Sequence, residues 1–137
     1  MKRLIGLDYG DKRIGVAVSD ESRTIASPHS VIPHQGWGPT AKAVARIIQE
    51  TDAEFVVMGL PYHLEGGMGK QAEETLGFAR VLEKHGIRVM MQDERLTSVT
   101  AEDALKESGK TARESKLLVD QVAAALILQA YLDEHRV

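Results

Sequence analysis

Asp8, Glu94 and Asp120 are carboxylates in three settings where an acid is costly to place, and metal chemistry is the work they could share. Asp8 closes the apolar run Leu4–Leu7 and opens a glycine turn, LIGLDYG. Glu94 follows a second apolar run in VMMQDERLTS, and Asp120 lies near the start of a long apolar helix in LLVDQVAAALILQ. Acids beside buried strand ends or helix starts lose hydration, so three of them suggest one purpose. An all-oxygen donor set suits hard divalent cations, Mg²⁺ or Mn²⁺. Three carboxylates gathered without a cation would repel one another. In a two-metal site, ions about 3.5–4 Å apart activate the attacking water and steady the leaving oxygen of a phosphodiester.

Each acid also has a plainer reading. Asp8 could cap a hairpin, and Glu94 could be a solvated loop charge past the carboxyl end of a strand, the end where α/β sheets usually bind ligands. Asp120 could answer the helix dipole, although about four residues in that effect has faded. Asp120 shares a stripe with Ala123, Ala124, Ile127 and Tyr131 at helical spacing, so its face should be the buried one. The alanines would let this helix lie close to the sheet and carry Asp120 towards Asp8.

Basic residues offer a phosphate-binding rim. Lys12 and Arg13 adjoin the first turn, Lys70 follows a glycine-rich loop, and Arg95 neighbours Glu94, while Lys110, Arg113 and Lys116 precede the last helix. The loop over 62–69 matches no GxxxxGK[ST] phosphate cradle, and the polar segment Lys106–Lys116 reads as a flap. The five histidines have no metal-ligand spacing, and no serine has Ser-His-Asp logic. Trp37, between glycines, suits anchoring its own loop better than stacking on a base. Tyr9 and Tyr62 flank the loops nearest the acids and could touch substrate.

The elements that must position these groups follow from periodicity. Residues 3–8 and 13–19 read as strands joined by a tight connection over 9–12. Ile14, Val16 and Val18 alternate with Gly15, Ala17 and Ser19. A third strand lies within 24–33. Gly38-Pro39-Thr40 opens a helix with Val44, Ile47 and Ile48 on one face. A buried strand over 54–60, a helix over 69–85 ended by Gly86, and a strand over 87–92 follow. Helices over about 98–108 and 115–134 complete the chain. The order β-β-β-α-β-α-β-α-α predicts an α/β fold: a mixed five-stranded sheet, antiparallel strands first and then parallel βαβ crossovers, with helices on both faces.

At 137 residues the chain should form one domain, 1–137. It has no cysteine, which excludes disulfides, zinc–thiolate sites and thiol catalysis. No signal-peptide core or membrane span is legible, so the expectation is a cytoplasmic protein with no membrane partner. A net charge of −3 argues against coating nucleic acid through positive charge alone, yet suits an acidic metal site with a basic rim.

The segments GLDYGDKRIGVAVSD (6–20), VMGLP (57–61), DERLTS (93–98) and VDQVAAALILQAYL (119–132) closely resemble the YqgF/RuvX family of pre-16S ribosomal RNA nucleases, in order and along essentially the whole chain. The resemblance implies a ribonuclease H-like fold related to Holliday-junction resolvases. It further implies a cytoplasmic bacterial nuclease that matures the 5′ end of 16S rRNA with Mg²⁺ or Mn²⁺, in two ions. Asp8, Glu94 and Asp120 would then be the metal-binding trio, with Asp8 bridging. Arg13 and Asp20 fall on motif positions supporting the site and the first hairpin. His63 and Glu65 replace the Asn and Asp common after GLP in relatives, which puts substrate contacts from that loop in doubt.

Competing functions are cleavage of branched DNA by a dimer, a non-catalytic RNA-binding or transcription-regulating role, and half of an actin-like ATPase. The sequence leaves RNA against DNA, monomer against homodimer, and Mg²⁺ against Mn²⁺ open.

Overall fold

The chain is described by a computed structural model over residues 1–60, 69–93 and 112–136, residues 112–118 by backbone alone. Strands β1 (Arg3–Asp8), β2 (Arg13–Ser19) and β3 (Ala26–Pro33) come first. Helix α1 (Trp37–Thr51), strand β4 (Ala53–Leu60), helix α2 (Lys70–Lys84), strand β5 (Val89–Asp93) and helix α3 (Ala112–Glu134) follow. The sheet order is β3-β2-β1-β4-β5. β1–β2 and β2–β3 pair antiparallel, and β1–β4 and β4–β5 pair parallel, as the sequence order predicts. The helix expected over 98–108 lies outside the described residues.

Alternation sorts β1 between two cores. Ile5, Leu7 and Tyr9 join Ile14, Val16, Val56, Met58 and Phe78 under α1 and α2. Leu4 joins Ala17, Phe55, Val57, Ala124, Ile127 and Leu128 under α3. Helices therefore cover both faces.

Two helix boundaries differ from the sequence reading. α1 starts at Trp37, just after Gly36, whose φ of 100° is open to glycine and strained for other residues. Pro39 thus lies inside the first turn, where a missing N–H costs no helical bond. α3 is already helical at Ala112, three residues before the expected start, since Ala112-Arg113-Glu114 carries no apolar periodicity to mark it.

The β2–β3 connection depends on Asp20. Its Oδ1 accepts the Thr24 and Ile25 backbone N–H groups at 2.8 and 3.1 Å, and its Oδ2 accepts the Ser22 hydroxyl at 2.7 Å. Asp20 therefore organises the second connection, not the first hairpin that the resemblance assigned it. The Ser22 hydroxyl first, then those two N–H groups, hold its carboxyl at about 2. A folded pKa below the unfolded one gives stability that is present above the unfolded value and lost as pH falls through the folded one. Asp20→Asn is expected to melt below the parent protein at neutral pH. The gap in Tm should narrow as pH is taken from about 5 to about 2.5. A gap that is constant across that range would remove the ionised carboxylate from the turn.

Candidate active site

Asp8 and Asp120 are brought to one end of one face of the sheet by glycine. Asp8 closes β1 and pairs with Gly15 of β2. Leu4 packs in the α3-side core and Gly6 lies against α3, so by alternation Asp8 faces α3 as well. Gly15 meets the Asp120 backbone so closely that a Cβ there would stand 1.9 Å from the Asp120 carbonyl oxygen. One turn further along, Gly6 makes the same kind of contact, its Cβ position 2.8 Å from the Ala124 carbonyl oxygen. Gly6 and Gly15 on the sheet, with Ala123, Ala124 and Ala125 buried on the helix, let α3 settle directly onto β1 and β2. The sequence reading assigned that closeness to the alanines; the sheet's glycines set it equally.

Asp120 is itself held. Arg13 Nε donates to Asp120 Oδ2 at 2.5 Å, across 107 residues of sequence, with both side chains mostly covered. This is a short charge-assisted bond. Arg13 starts β2, two residues before Gly15, and so lies diagonally from Asp8 on the same face.

Glu94 lies outside the described residues, immediately after Asp93, the last residue of β5. Parallel pairing puts the carboxyl ends of β1, β4 and β5 at the same edge, with Leu7 opposite Met58 and Gly59 opposite Gln92. Two strand spacings, about 9–10 Å, separate the ends of β1 and β5. Between them β4 presents Gly59, which has no side chain to intervene. Among the described residues no group of three or more His, Cys, Asp or Glu side chains comes together. Two members of the expected trio are thus adjacent, and the third follows a strand ending at the same edge.

Lys12 is exposed in the β1–β2 connection, and Lys70 is exposed at the first turn of α2. Arg113 and Lys116 lie in the backbone of α3, and Arg95 and Lys110 lie outside the described residues, as does Tyr62.

Tyr9 is turned away from the acids. It is 5% exposed on the sheet face opposite Asp8. Its hydroxyl accepts the Trp37 Nε1–H at 3.0 Å and pairs with His34 Nε2 at 3.0 Å, and its ring packs on Phe78. Burial pushes the Tyr9 phenol above its ordinary value, and the Trp37 bond pulls the other way. Trp37 anchors its own loop as expected, its ring resting on Gly77.

A cavity of about 210 Å³ lies at the opposite end of the sheet, lined by Leu4, Arg23, Phe55, Tyr131 and His135 among others, and none of its lining residues belongs to the acidic site. An exposed edge suits a long polymeric substrate better than an enclosed cavity suits one.

The chain resembles known proteins along its length. The RuvX family, described as Holliday junction resolvase, matches residues 2–134. A protein of Syntrophus aciditrophicus (strain SB) named "Putative pre-16S rRNA nuclease" is 42% identical over 132 residues, covering 96% of this chain and 88% of its own. One of the same name from Rhodococcus opacus (strain B4) is 45% identical over 138 residues, covering 96% and 78%. Among solved structures, T. thermophilus RuvC in complex with Holliday junction substrate matches with a TM-score of 0.60 at 15% identity, covering 99% and 98% of the two chains. Fowlpox virus resolvase with Holliday junction DNA gives 0.55 at 14% identity, covering 96% and 97%. Together with the strand order, these likenesses identify the fold as ribonuclease H-like.

Proposed function

Because this chain belongs to the RuvX family, we propose that it is a divalent-metal-dependent nuclease that hydrolyses RNA phosphodiesters, acting in maturation of the 5′ end of pre-16S rRNA. The observation that carries this reading is that Gly15 pairs with Asp8 in the sheet and lies against the Asp120 backbone, at the carboxyl end of β1. A donor set of carboxylate oxygens on one face, with His34 on the other, fits Mg²⁺ or Mn²⁺ and suits no soft metal. Asp8, Asp120 and Glu94 would hold the ions, which when bound supply an activated water and stabilise the leaving oxygen.

The chain's own groups do the rest. Asp8 at a strand end and Asp120 on a helix seated by backbone contact are held without mobile loops, which limits reorganisation at the reacting phosphate. Lys12, Arg13 and Lys70, with Arg95, Lys110, Arg113 and Lys116 nearby in sequence, bind and orient the phosphate backbone. In this reading the whole chain is one cytoplasmic nuclease domain, working as a monomer or homodimer.

A second reading, cleavage of branched DNA, is favoured by the fold shared with RuvC and the fowlpox resolvase. The deciding experiment incubates the protein with a labelled 16S precursor fragment and a four-way DNA junction, in Mg²⁺, Mn²⁺ or EDTA. Metal-dependent cleavage of the RNA is expected. Cleavage confined to the junction moves the protein to the resolvase reading. Binding without cleavage of either substrate would leave a purely RNA-binding role.

A further inference from the structure

Arg13 stands in the basic rim and also on a motif position that the resemblance ties to the site. As one basic residue of the rim it would be free to meet phosphate, yet its Nε is engaged by Asp120 Oδ2. Its Nη1 and Nη2 have no hydrogen-bond partner among the described residues, and the side chain keeps 32% of its surface open. The fork therefore grips one proposed metal ligand with one nitrogen and keeps two others to spare.

We propose that Arg13 is a positioning residue that couples nucleic-acid binding to cation binding; the inference rests on the metal-dependent nuclease reading. A guanidinium and a divalent cation on the same carboxylate place like charges side by side, so each weakens the other's hold on Asp120. Phosphate is the natural alternative partner for the fork, because it takes two parallel N–H bonds where Asp120 takes one. A phosphodiester arriving at the edge draws Arg13 from Asp120 and leaves both Asp120 oxygens to the cation. Linkage makes the effect reciprocal: cation binding frees Arg13 and tightens the hold on nucleic acid. The device restricts full metal loading to the substrate-bound protein. The Arg13 backbone is fixed independently of its side chain, because the strand pairs with Pro33 and Lys12 accepts the His34 N–H, so the guanidinium can move without disturbing β2.

The test is Mn²⁺ affinity of the full chain, read by loss of the free-ion electron paramagnetic resonance signal. It is run with and without a single-stranded RNA 12-mer whose integrity is checked on a gel and whose own Mn²⁺ uptake is subtracted. Wild type, Arg13→Gln, Arg13→Lys and Asp8→Asn are compared, with thermal unfolding as the check on folding. Arg13→Gln is expected to bind Mn²⁺ about fivefold to tenfold more tightly than wild type in the absence of RNA. Added RNA should tighten wild type about tenfold and Arg13→Gln less than about threefold. Arg13→Lys, which keeps the charge but loses the fork, should retain the weak RNA-free affinity and only part of the coupling. If Arg13→Gln binds Mn²⁺ no better than wild type without RNA, or couples as strongly, the inference is overturned while the nuclease reading stands. If wild type binds no better than Asp8→Asn, the metal reading itself fails and the inference falls with it.

Discussion

Asp8→Asn is expected to lower cleavage of a bound phosphodiester by more than about 10³-fold while leaving the protein folded. Asparagine keeps the shape and one carbonyl oxygen but removes the charge that makes a carboxylate a strong ligand for a hard cation. Metal-ion catalysis contributes several kcal/mol of transition-state stabilisation, and losing about 4 kcal/mol of it is a factor of about 10³. The amide also keeps the side chain's capacity to hydrogen-bond, so the fold should survive the change. Single-turnover rates at saturating Mg²⁺, with Tm measured alongside, check this. A rate within tenfold of wild type would remove Asp8 from the metal site, and a collapsed Tm would show its main work to be structural.

Gly15→Ala should do the opposite, damaging the fold first and the chemistry through it. The added methyl would stand 1.9 Å from the Asp120 carbonyl oxygen and 2.4 Å from its carbonyl carbon. No real contact is that short, and the obstacle is helix backbone, which cannot turn aside as a side chain can. α3 must lift off β2, loosening the Gly6–Ala124 contact and the Leu128 packing behind it. The cost should be about 3 kcal/mol, the upper end of ordinary overpacking, or about 10 °C in Tm for a chain of this size. The same shift moves Asp120 away from Asp8, and a displacement near 1 Å can cost about 10²-fold in rate. Gly38→Ala is the control, since a Cβ there meets nothing within 4 Å. If Gly15→Ala melts with the parent, α3 is not seated by that contact.

What the sequence yields depends on how far each signal reaches. β1 and β2 fall at 3–8 and 13–19 as read, because a short apolar run and a period-2 strand are local patterns. The stripe of Ala123, Ala124, Ile127 and Tyr131 is buried as its spacing implies. Tyr9 was open to the same logic: Ile5, Leu7 and Tyr9 continue one alternation past the end of β1, which assigns Tyr9 to the core and not to the turn. The glycine before Trp37 marked the start of α1 better than Pro39 did, since positive φ ends one chain direction and begins another. Gly15 looked like one more small residue on the lesser face of β2, and nothing local says that a helix backbone rests on it. The Arg13–Asp120 bond lay further out of reach, because it exists only once β2 and α3 are packed. Proximity between acids is a property of the assembled sheet, and local sequence carries it only as a set of suspicious residue types.

The outer strand β3 has a different consequence, for the fate of the protein in a crowded solution. Among the described strands it is one edge of the sheet, with β5 at the other. Its pairing with β2 passes from Val16–Ser30 to Ala17–Pro28, so His29 bulges out beside a proline, and a second proline, Pro33, closes the strand. A bulge twists the rim, and each proline removes an amide hydrogen from the row that a foreign strand would need to zip onto. β3 can therefore lie exposed along much of its length without recruiting neighbours, and the chain should withstand concentration without growing sheet upon sheet into fibrils.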